Sequence, residues 1–321
     1  MNPKKTLLVS HAPFWHDGGG IPERSYHTLL AALPAACAGI AFYGAPALGV
    51  ICLSISTAIL WELLMNRIMR RPITVGDGNA ALVGLLLAML LPASAPWWVV
   101  VLGTFLAIVI GMQIFGGIGG NPFNPVVLGT AILSVAYGRH LDFDAGLVNF
   151  TFTAFASSTD PISALKAFGP EAVSHLRYLD LFLGKQVGGI GSTCGAAIVL
   201  GGIYLIFRGF IRWEISIAFL ASVYLSAALF NMADPTRFAP PLFHLVTGYT
   251  LIGAFFLATE NSSSPVNLFP MLIYGALGGV LTVLIRNIGA YTDGVLFAIL
   301  VINLTNPLVD KIRPRAIGKA A

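Results

Sequence analysis

Apolar stretches of about 18 residues, recurring along the chain between short polar turns, constrain this sequence more than any other feature. They fall at roughly 27–44, 47–65, 79–92, 97–115, 123–138, 194–208, 214–231, 242–258, 270–286 and 292–309. Runs of this kind match the hydrocarbon core of a bilayer, so the chain reads as an all-α polytopic membrane protein of about ten transmembrane helices. Charge agrees, because only 10% of the 321 residues are charged, against about 25% in a soluble domain. Ten spans use up the length, which leaves no room for a large extramembrane catalytic domain. Two stretches, 79–92 and 242–258, are short for a core about 30 Å thick and end in abrupt polar breaks. Such ends are tolerated where the freed backbone groups face protein or water.

The few charges set an orientation. With the N-terminus inside, twelve Lys and Arg fall on one side and six on the other, which predicts both termini in the cytoplasm. The net charge of +4, from 18 Lys and Arg against 14 Asp and Glu, calls for no nucleic-acid partner, because in a membrane protein the distribution of charge matters more than its sum. The polar segment 1–26 precedes a full-length span, so it reads as a cytoplasmic arm and not as a cleavable signal. Residues 139–193 lack a span and carry Asp142, Asp144, Asp160, Glu171 and Asp180; the charge rule puts this loop outside. It divides the chain into five spans (27–138) and five spans (194–309), followed by a cytoplasmic tail at 310–321. An odd number of spans per half forces opposite topologies, which is the arithmetic of an inverted repeat.

Three segments stand out from the apolar background. Phe115-Gly-Gly-Ile-Gly-Gly-Asn-Pro-Phe-Asn-Pro125 joins the fourth and fifth spans. Its glycines, among them Gly119, permit tight folding, and its two Asn-Pro pairs stop and restart helices. It is either a tight turn between packed helices or a helix N-terminus turned into a cavity. Gly188-Gly-Ile-Gly-Ser-Thr193 opens the sixth span, so Gly189, Gly191, Ser192 and Thr193 are candidates for a phosphate or isoalloxazine contact, or simply a helix cap. Ala156-Ser-Ser-Thr-Asp-Pro161 reads locally as a turn with a cap. Glu62, Asp77 and Glu260 are the ionisable groups best placed for an ion path, beside the amides Asn121, Asn124, Asn303 and Asn306. Cys37, Cys52 and Cys194 read as small buried hydrophobes. The sequence has no nucleotide, hydrolase or metal motif, so chemistry has to come from a bound cofactor or a partner subunit.

Taken together, these residues resemble the NqrB/RnfD family, membrane subunits of the sodium-pumping NADH:quinone oxidoreductase and of the Rnf ferredoxin:NAD complex. The 115–125 segment resembles the family's G-x-N-x-F-N-P. Gly76-Asp77-Gly78, Gly189–Thr193, Gly201–Leu205, Gly253–Thr259 and Tyr291–Ala298 follow in family order. The short Val9–Pro13 start resembles RnfD. The resemblance implies two inverted five-helix repeats similar to the urea-transporter fold. It also implies a flavin-linked subunit of an Rnf-type complex, coupled to Na⁺ or H⁺ transport in a bacterial cytoplasmic membrane, that works with other subunits and not as an enzyme by itself. The flavins it brings are FMN and riboflavin. In the family's D-x-x-S-G-A-T pattern the threonine carries FMN through a phosphoester. Here Ser157 aligns with the motif's serine, Ser158 follows, Thr159 takes the place of alanine, and Asp160 stands where the threonine belongs. Either Thr159 carries FMN by a one-residue shift, or this chain lacks covalent flavin. Ser192 stands where the family commonly has Glu. A small-solute channel or transporter of the same fold is the rival reading.

Overall fold

The computed structural model describes residues 20–144 and 159–312, and helices occupy all ten apolar stretches. α1 (Ile21–Tyr43) and α2 (Ala45–Ile68) are followed by α3 (Asn79–Leu90). α4 (Trp97–Phe105) widens into a π-helix over Leu106–Gln113, and α5 (Pro125–Ala136) completes the first half. The loop contributes α6 (Pro161–Phe168) and α7 (Tyr178–Phe182). α8 (Gly195–Phe207) and α9 (Trp213–Ala233) open the second half. α10 (Pro241–Val246) and α11 (Thr250–Ile252) come next, and α11 widens into a π-helix over Gly253–Leu257. α12 (Leu268–Ile288) and α13 (Val295–Val309) end the bundle. Among the described residues there is no strand.

Among the described residues, only α1, α2, α9 and α12 are long and apolar enough to cross a membrane by length and composition. The others are short for a physical reason. In the stretch 242–258, α10 stops at Val246 and Gly248 takes a left-handed conformation (φ +64°), so one apolar run becomes two helical pieces. The 115–124 turn needs its glycines for the same reason: Gly116, Gly117 and Gly119 have φ of +111°, +99° and +90°.

The shortened ends are satisfied by protein. At the end of α3, the Tyr249 hydroxyl donates to Leu90 O (2.7 Å), Ile190 N–H to Leu91 O (3.0 Å) and Gly191 N–H to Met89 O (2.9 Å). At the end of the Gly253–Leu257 π-helix, Asn124 Nδ2 donates to Leu257 O (2.9 Å) and Arg24 to Thr259 O (3.4 Å). With no water in a bilayer core, such partners are what allow a helix to stop there.

α1 packs on α8, α2 on α3 and α4, α9 on α12, and α5 on α13. Small residues permit the crossings. A Cβ on Gly201 would lie 2.1 Å from Ala31 O, and one on Gly275 2.6 Å from Ile215 O. One sequence expectation is corrected: Cys37 and Cys52 are exposed on the outer faces of α1 and α2, and Cys194 is half-buried. In a chain whose exterior is as apolar as its interior, an apolar neighbourhood does not mark the inside.

Candidate functional site

Two cavities lie at opposite ends of the helix bundle, because the chain segments that line them alternate along the sequence. The first, about 520 Å³, is walled by the chain after α5, the start of α6, the Gln186–Thr193 approach to α8, Gly248 and Tyr249 before α11, and the turn before α13. The second, about 440 Å³, is walled by the start of α1, the first turns of α3, the 112–126 segment and the residues closing the Gly253–Leu257 π-helix. Both volumes fall in the range of small-molecule pockets, about 300–1,000 Å³.

In the first cavity the loop motif is built around Asp160. The following proline sits well at the first helical position, and Asp160 is the N-cap of α6. Its Oδ2 accepts from Ser163 N–H (3.0 Å) and Ser163 Oγ–H (2.8 Å). Its own N–H donates to Asp144 Oδ1 (2.7 Å). Burial pushes the Asp160 carboxyl up to about 6 against the pull of the Ser163 donors, and repulsion from Asp144 and Asp293 adds to the rise. Burial also raises Asp144, opposed by the Asp160 N–H. Thr159 is exposed and is not part of the cavity wall. Ser158 lies outside the described residues, as does the Val9–Pro13 segment.

Gly189, Gly191, Ser192 and Thr193 do come together, but as a wedge against α3. Gly188 N–H donates to the Tyr43 hydroxyl (2.9 Å), and Ile190 and Gly191 N–H go to the α3 carbonyls described above. Ser192 N–H closes a turn onto Gly189 O (3.1 Å). The glycines are there for close approach: a Cβ on Gly189 would lie 2.8 Å from Met89 O. Of the local side chains, the Thr193 hydroxyl is buried without a partner.

Groups that sequence reasoning missed complete this end. Gln186 Nε2 donates to Leu181 O, Thr193 O and Val246 O (3.0, 3.1 and 3.0 Å). Arg286, at 1% side-chain exposure, pairs with Asp293 at 3.0 Å and donates to His244 O and Thr247 O. Asp293 Oδ2 in turn accepts Tyr249 N–H (2.7 Å). The Tyr291-Thr-Asp-Gly294 string was visible in the sequence, but its partners are supplied by α12 and the α10–α11 turn.

Around the second cavity, Gly119, Asn121, Asn124 and Glu260 are brought together as walls. Asn121 Nδ2 donates to Phe123 O (2.9 Å) and reaches both Glu260 oxygens at 3.4 Å. Glu260 Oε2 accepts from Ser263 N–H and Oγ–H (3.1 and 2.6 Å). Arg24, Asn79, Phe255 and Phe256 also line this space. Asp77 stands outside it. Its Oδ1 accepts Asn79 N–H (2.8 Å) at the entry to α3, and burial raises its carboxyl against that hydrogen bond. Glu62 is separate again, buried in α2 with Oε1 accepting from Thr74 (2.7 Å), which accepts from Asn66 (2.9 Å). Asn303 and Asn306 sit on α13, where they contact Tyr274 and Ser263 O and not the cavity. Among the described residues no group of three His, Cys, Asp or Glu is placed to hold a metal ion.

Comparison with known proteins gives this architecture relatives. The model of the NQR2, RnfD, RnfE family matches residues 8–318. The chain is 33% identical over 347 aligned residues to the D subunit of an ion-translocating oxidoreductase complex of Cronobacter sakazakii, covering 97% of this chain and 98% of the relative. The protein of the same name from Yersinia enterocolitica is 34% identical with the same coverage. The D subunit of a proton-translocating ferredoxin:NAD(+) oxidoreductase complex of Clostridium ljungdahlii is 34% identical over 314 residues, covering 96% of this chain and 95% of the relative. Matches that run almost end to end, through both cavity linings, show that this chain belongs to the NQR2, RnfD, RnfE family.

Proposed function

We propose that the chain is the D-type membrane subunit of an Rnf-type ion-translocating oxidoreductase complex, taking part in flavin-linked electron transfer coupled to Na⁺ or H⁺ movement. The observation that carries this reading is the end-to-end likeness to proteins of that name. It sits in a bacterial cytoplasmic membrane with both termini inside, in keeping with the twofold bias of Lys and Arg. Its partners are the other subunits of the complex and the lipid around it.

Residues 27–138 and 194–309 form two inverted five-helix repeats of the urea-transporter kind. The packing supports this: α1 pairs with α8 and α5 with α13, each the counterpart of the other, while α2–α4 in one half matches α9–α12 in the other. The third span of each half stops short and borrows partners from elsewhere in the bundle.

The second cavity is the place for a neutral flavin such as riboflavin. Its volume of about 440 Å³ suffices, Phe255 and Phe256 offer aromatic faces, and Asn79 and Asn121 offer amides for ring edges. A flavin bound there supplies the capacity to take up and release one or two electrons. Asn124 does not bind it; its amide is committed to α5 and Leu257 O. Glu260, held by Asn121 and Ser263, keeps a carboxylate at the cavity edge for a cation in transit.

The test is to isolate the complex through a tag on this chain, identify its subunits by mass spectrometry, and extract flavin with acid. Riboflavin or FMN in the extract, together with partner oxidoreductase subunits, is the expected result. A chain that purifies without either would sink this reading in favour of a solute channel or transporter of the same fold. That rival draws on one observation, two cavities at opposite ends of one bundle.

A further inference from the structure

We infer that the first cavity of this chain holds no phosphoester-linked flavin, and that the position from which the motif it resembles would tether one has become a helix cap. This goes beyond the flavin proposed for the second cavity and stands or falls separately.

The linkage in question is a phosphodiester. It joins a protein hydroxyl oxygen to the flavin's terminal phosphate, with one negative charge left on the phosphate. Asp160, aligned with the motif's threonine, has no hydroxyl. A phosphate on its carboxylate would be an acyl phosphate, a mixed anhydride open to hydrolysis. The Asp160 carboxylate is also already engaged, through Oδ2 with Ser163 N–H at 3.0 Å and Ser163 Oγ–H at 2.8 Å. It is 7% exposed, so modification would require the first turn of α6 to open.

Thr159 does have a hydroxyl, but its surroundings oppose the product. It is exposed and outside the cavity wall, so a flavin hung there would not begin its path inside the pocket. The wall nearest it carries carboxylates: Asp160 itself, Asp144 within 2.7 Å of the Asp160 N–H, and Asp142, whose Oδ1 accepts Asp144 N–H at 3.0 Å. Like charges at such separations are destabilising, and the more so at buried sites where solvent screens less.

The glycine loop offers no compensation. A phosphate cradle needs backbone N–H groups turned toward the anion. In Gly188–Thr193, the Gly188, Ile190, Gly191 and Ser192 N–H groups already donate to Tyr43, Leu91 O, Met89 O and Gly189 O. Releasing them would strip the end of α3 of two of its backbone partners. Arg286, buried beside this cavity's Asp293, is taken up by that carboxylate and two carbonyls, and Arg139 on the cavity wall is exposed, where solvent screens its charge. Among the described residues, the cavity wall therefore sets the carboxylates of Asp142, Asp144, Asp160 and Asp293 against the single cation of Arg139, and the Gly188, Ile190, Gly191 and Ser192 N–H groups are committed to the fold.

The experiment uses the intact complex purified from its membrane. This chain is separated on a denaturing gel, viewed under ultraviolet light, and digested; peptides covering 139–193 are weighed. The expected result is unmodified peptide and no fluorescent band for this chain. A peptide heavier by one FMN less water, with a fluorescent band that Thr159→Val abolishes, would overturn the inference. So would the same adduct on any other Ser or Thr in the 139–193 loop. Acid-extractable flavin is measured on the same sample. Its absence would count against the second-cavity reading alone, whereas a covalent adduct would count against this inference alone.

Discussion

Asn124 accepts Val126 and Val127 N–H through Oδ1 (2.9 and 3.2 Å) while Nδ2 donates across the bundle to Leu257 O (2.9 Å). One amide therefore starts α5 and closes the π-helix that follows α11. Asn124→Ala removes the cap and leaves a buried carbonyl unpaired, an expected loss of about 2–4 kcal/mol from the two effects together. Asn124→Asp keeps the cap but loses the Nδ2 donor, so thermal unfolding in detergent should show only partial rescue. Equal unfolding temperatures for the aspartate variant and the parent would show that the Leu257 contact contributes nothing. Asp160 makes a different prediction. Its carboxyl sits at about 6 because burial disfavours the charge, above the unfolded value of about 3.9. The folded state thus binds more protons than the unfolded state between those limits, and this residue's contribution to stability falls as pH rises through them. Asp160→Asn keeps an N-cap acceptor and removes the charge. It should raise stability by on the order of 1–3 kcal/mol at pH 8, with the gain fading toward pH 4. Unfolding curves of both proteins at several pH values would check it, and a gain that grew on acidification would contradict the sign.

At the scale of elements, the Gly188–Thr193 wedge shows how a short helix can end inside protein. It enters between α1 and the end of α3, and the fit is tight on both sides. A Cβ on Gly39 would lie 2.0 Å from Ile190 O, which is backbone and cannot rotate away. Gly39→Ala is therefore expected to destabilise by roughly 1–3 kcal/mol, as overpacking does. Gly49, in the interior of α2, is the control. A Cβ there meets nothing within 4 Å, so Gly49→Ala should be neutral or stabilising by up to about 1 kcal/mol through helix propensity. A matched pair of unfolding curves decides it; similar losses in both would mean that the wedge is not tightly seated. The helices themselves could be read from the sequence to within a few residues, because apolar run length is a local property. The break at Thr247–Gly248 could not, since a single Thr-Gly step in an apolar stretch does not by itself end a helix, and the Asp293 carboxylate that accepts Tyr249 N–H beyond the break lies 44 residues away.

On the scale of the whole molecule, the buried Arg286–Asp293 pair joins the end of α12, the α10–α11 turn and the start of α13. Breaking a buried pair by removing one partner leaves an unpaired charge, at about 3–5 kcal/mol. Arg286→Leu should lower the unfolding temperature strongly, and Arg286→Leu with Asp293→Asn should recover part of the loss by removing that charge. If the double variant were no better than the single, the carbonyl bonds to His244 and Thr247 would be the dominant contribution. Arg286 was visible in the sequence only as one of the six Lys and Arg on the minority side, and nothing local tied it to Asp293 or to the two carbonyls.

The order of residues alone determines that the chain is helical, where each apolar span lies, how little of it could face water, and which family its motifs resemble. These properties follow from local hydropathy, Gly and Pro placement and charge counts, none of which needs a neighbour distant in sequence. Tertiary structure alone decided which candidates share a site. It grouped Gly119, Asn121, Asn124 and Glu260 around one cavity and left Asp77 and Glu62 outside it. It also turned the Gly189–Thr193 loop from a prospective ligand cradle into a support for α3, and the Asp160 turn into a wall of carboxylates. The decisive bonds, from Asn124 to Leu257, Tyr249 to Leu90 and Tyr43 to Gly188, cross more than 130 residues of chain. Their partners are chosen by packing between helices, and a buried polar group bonds to whatever that packing brings within reach.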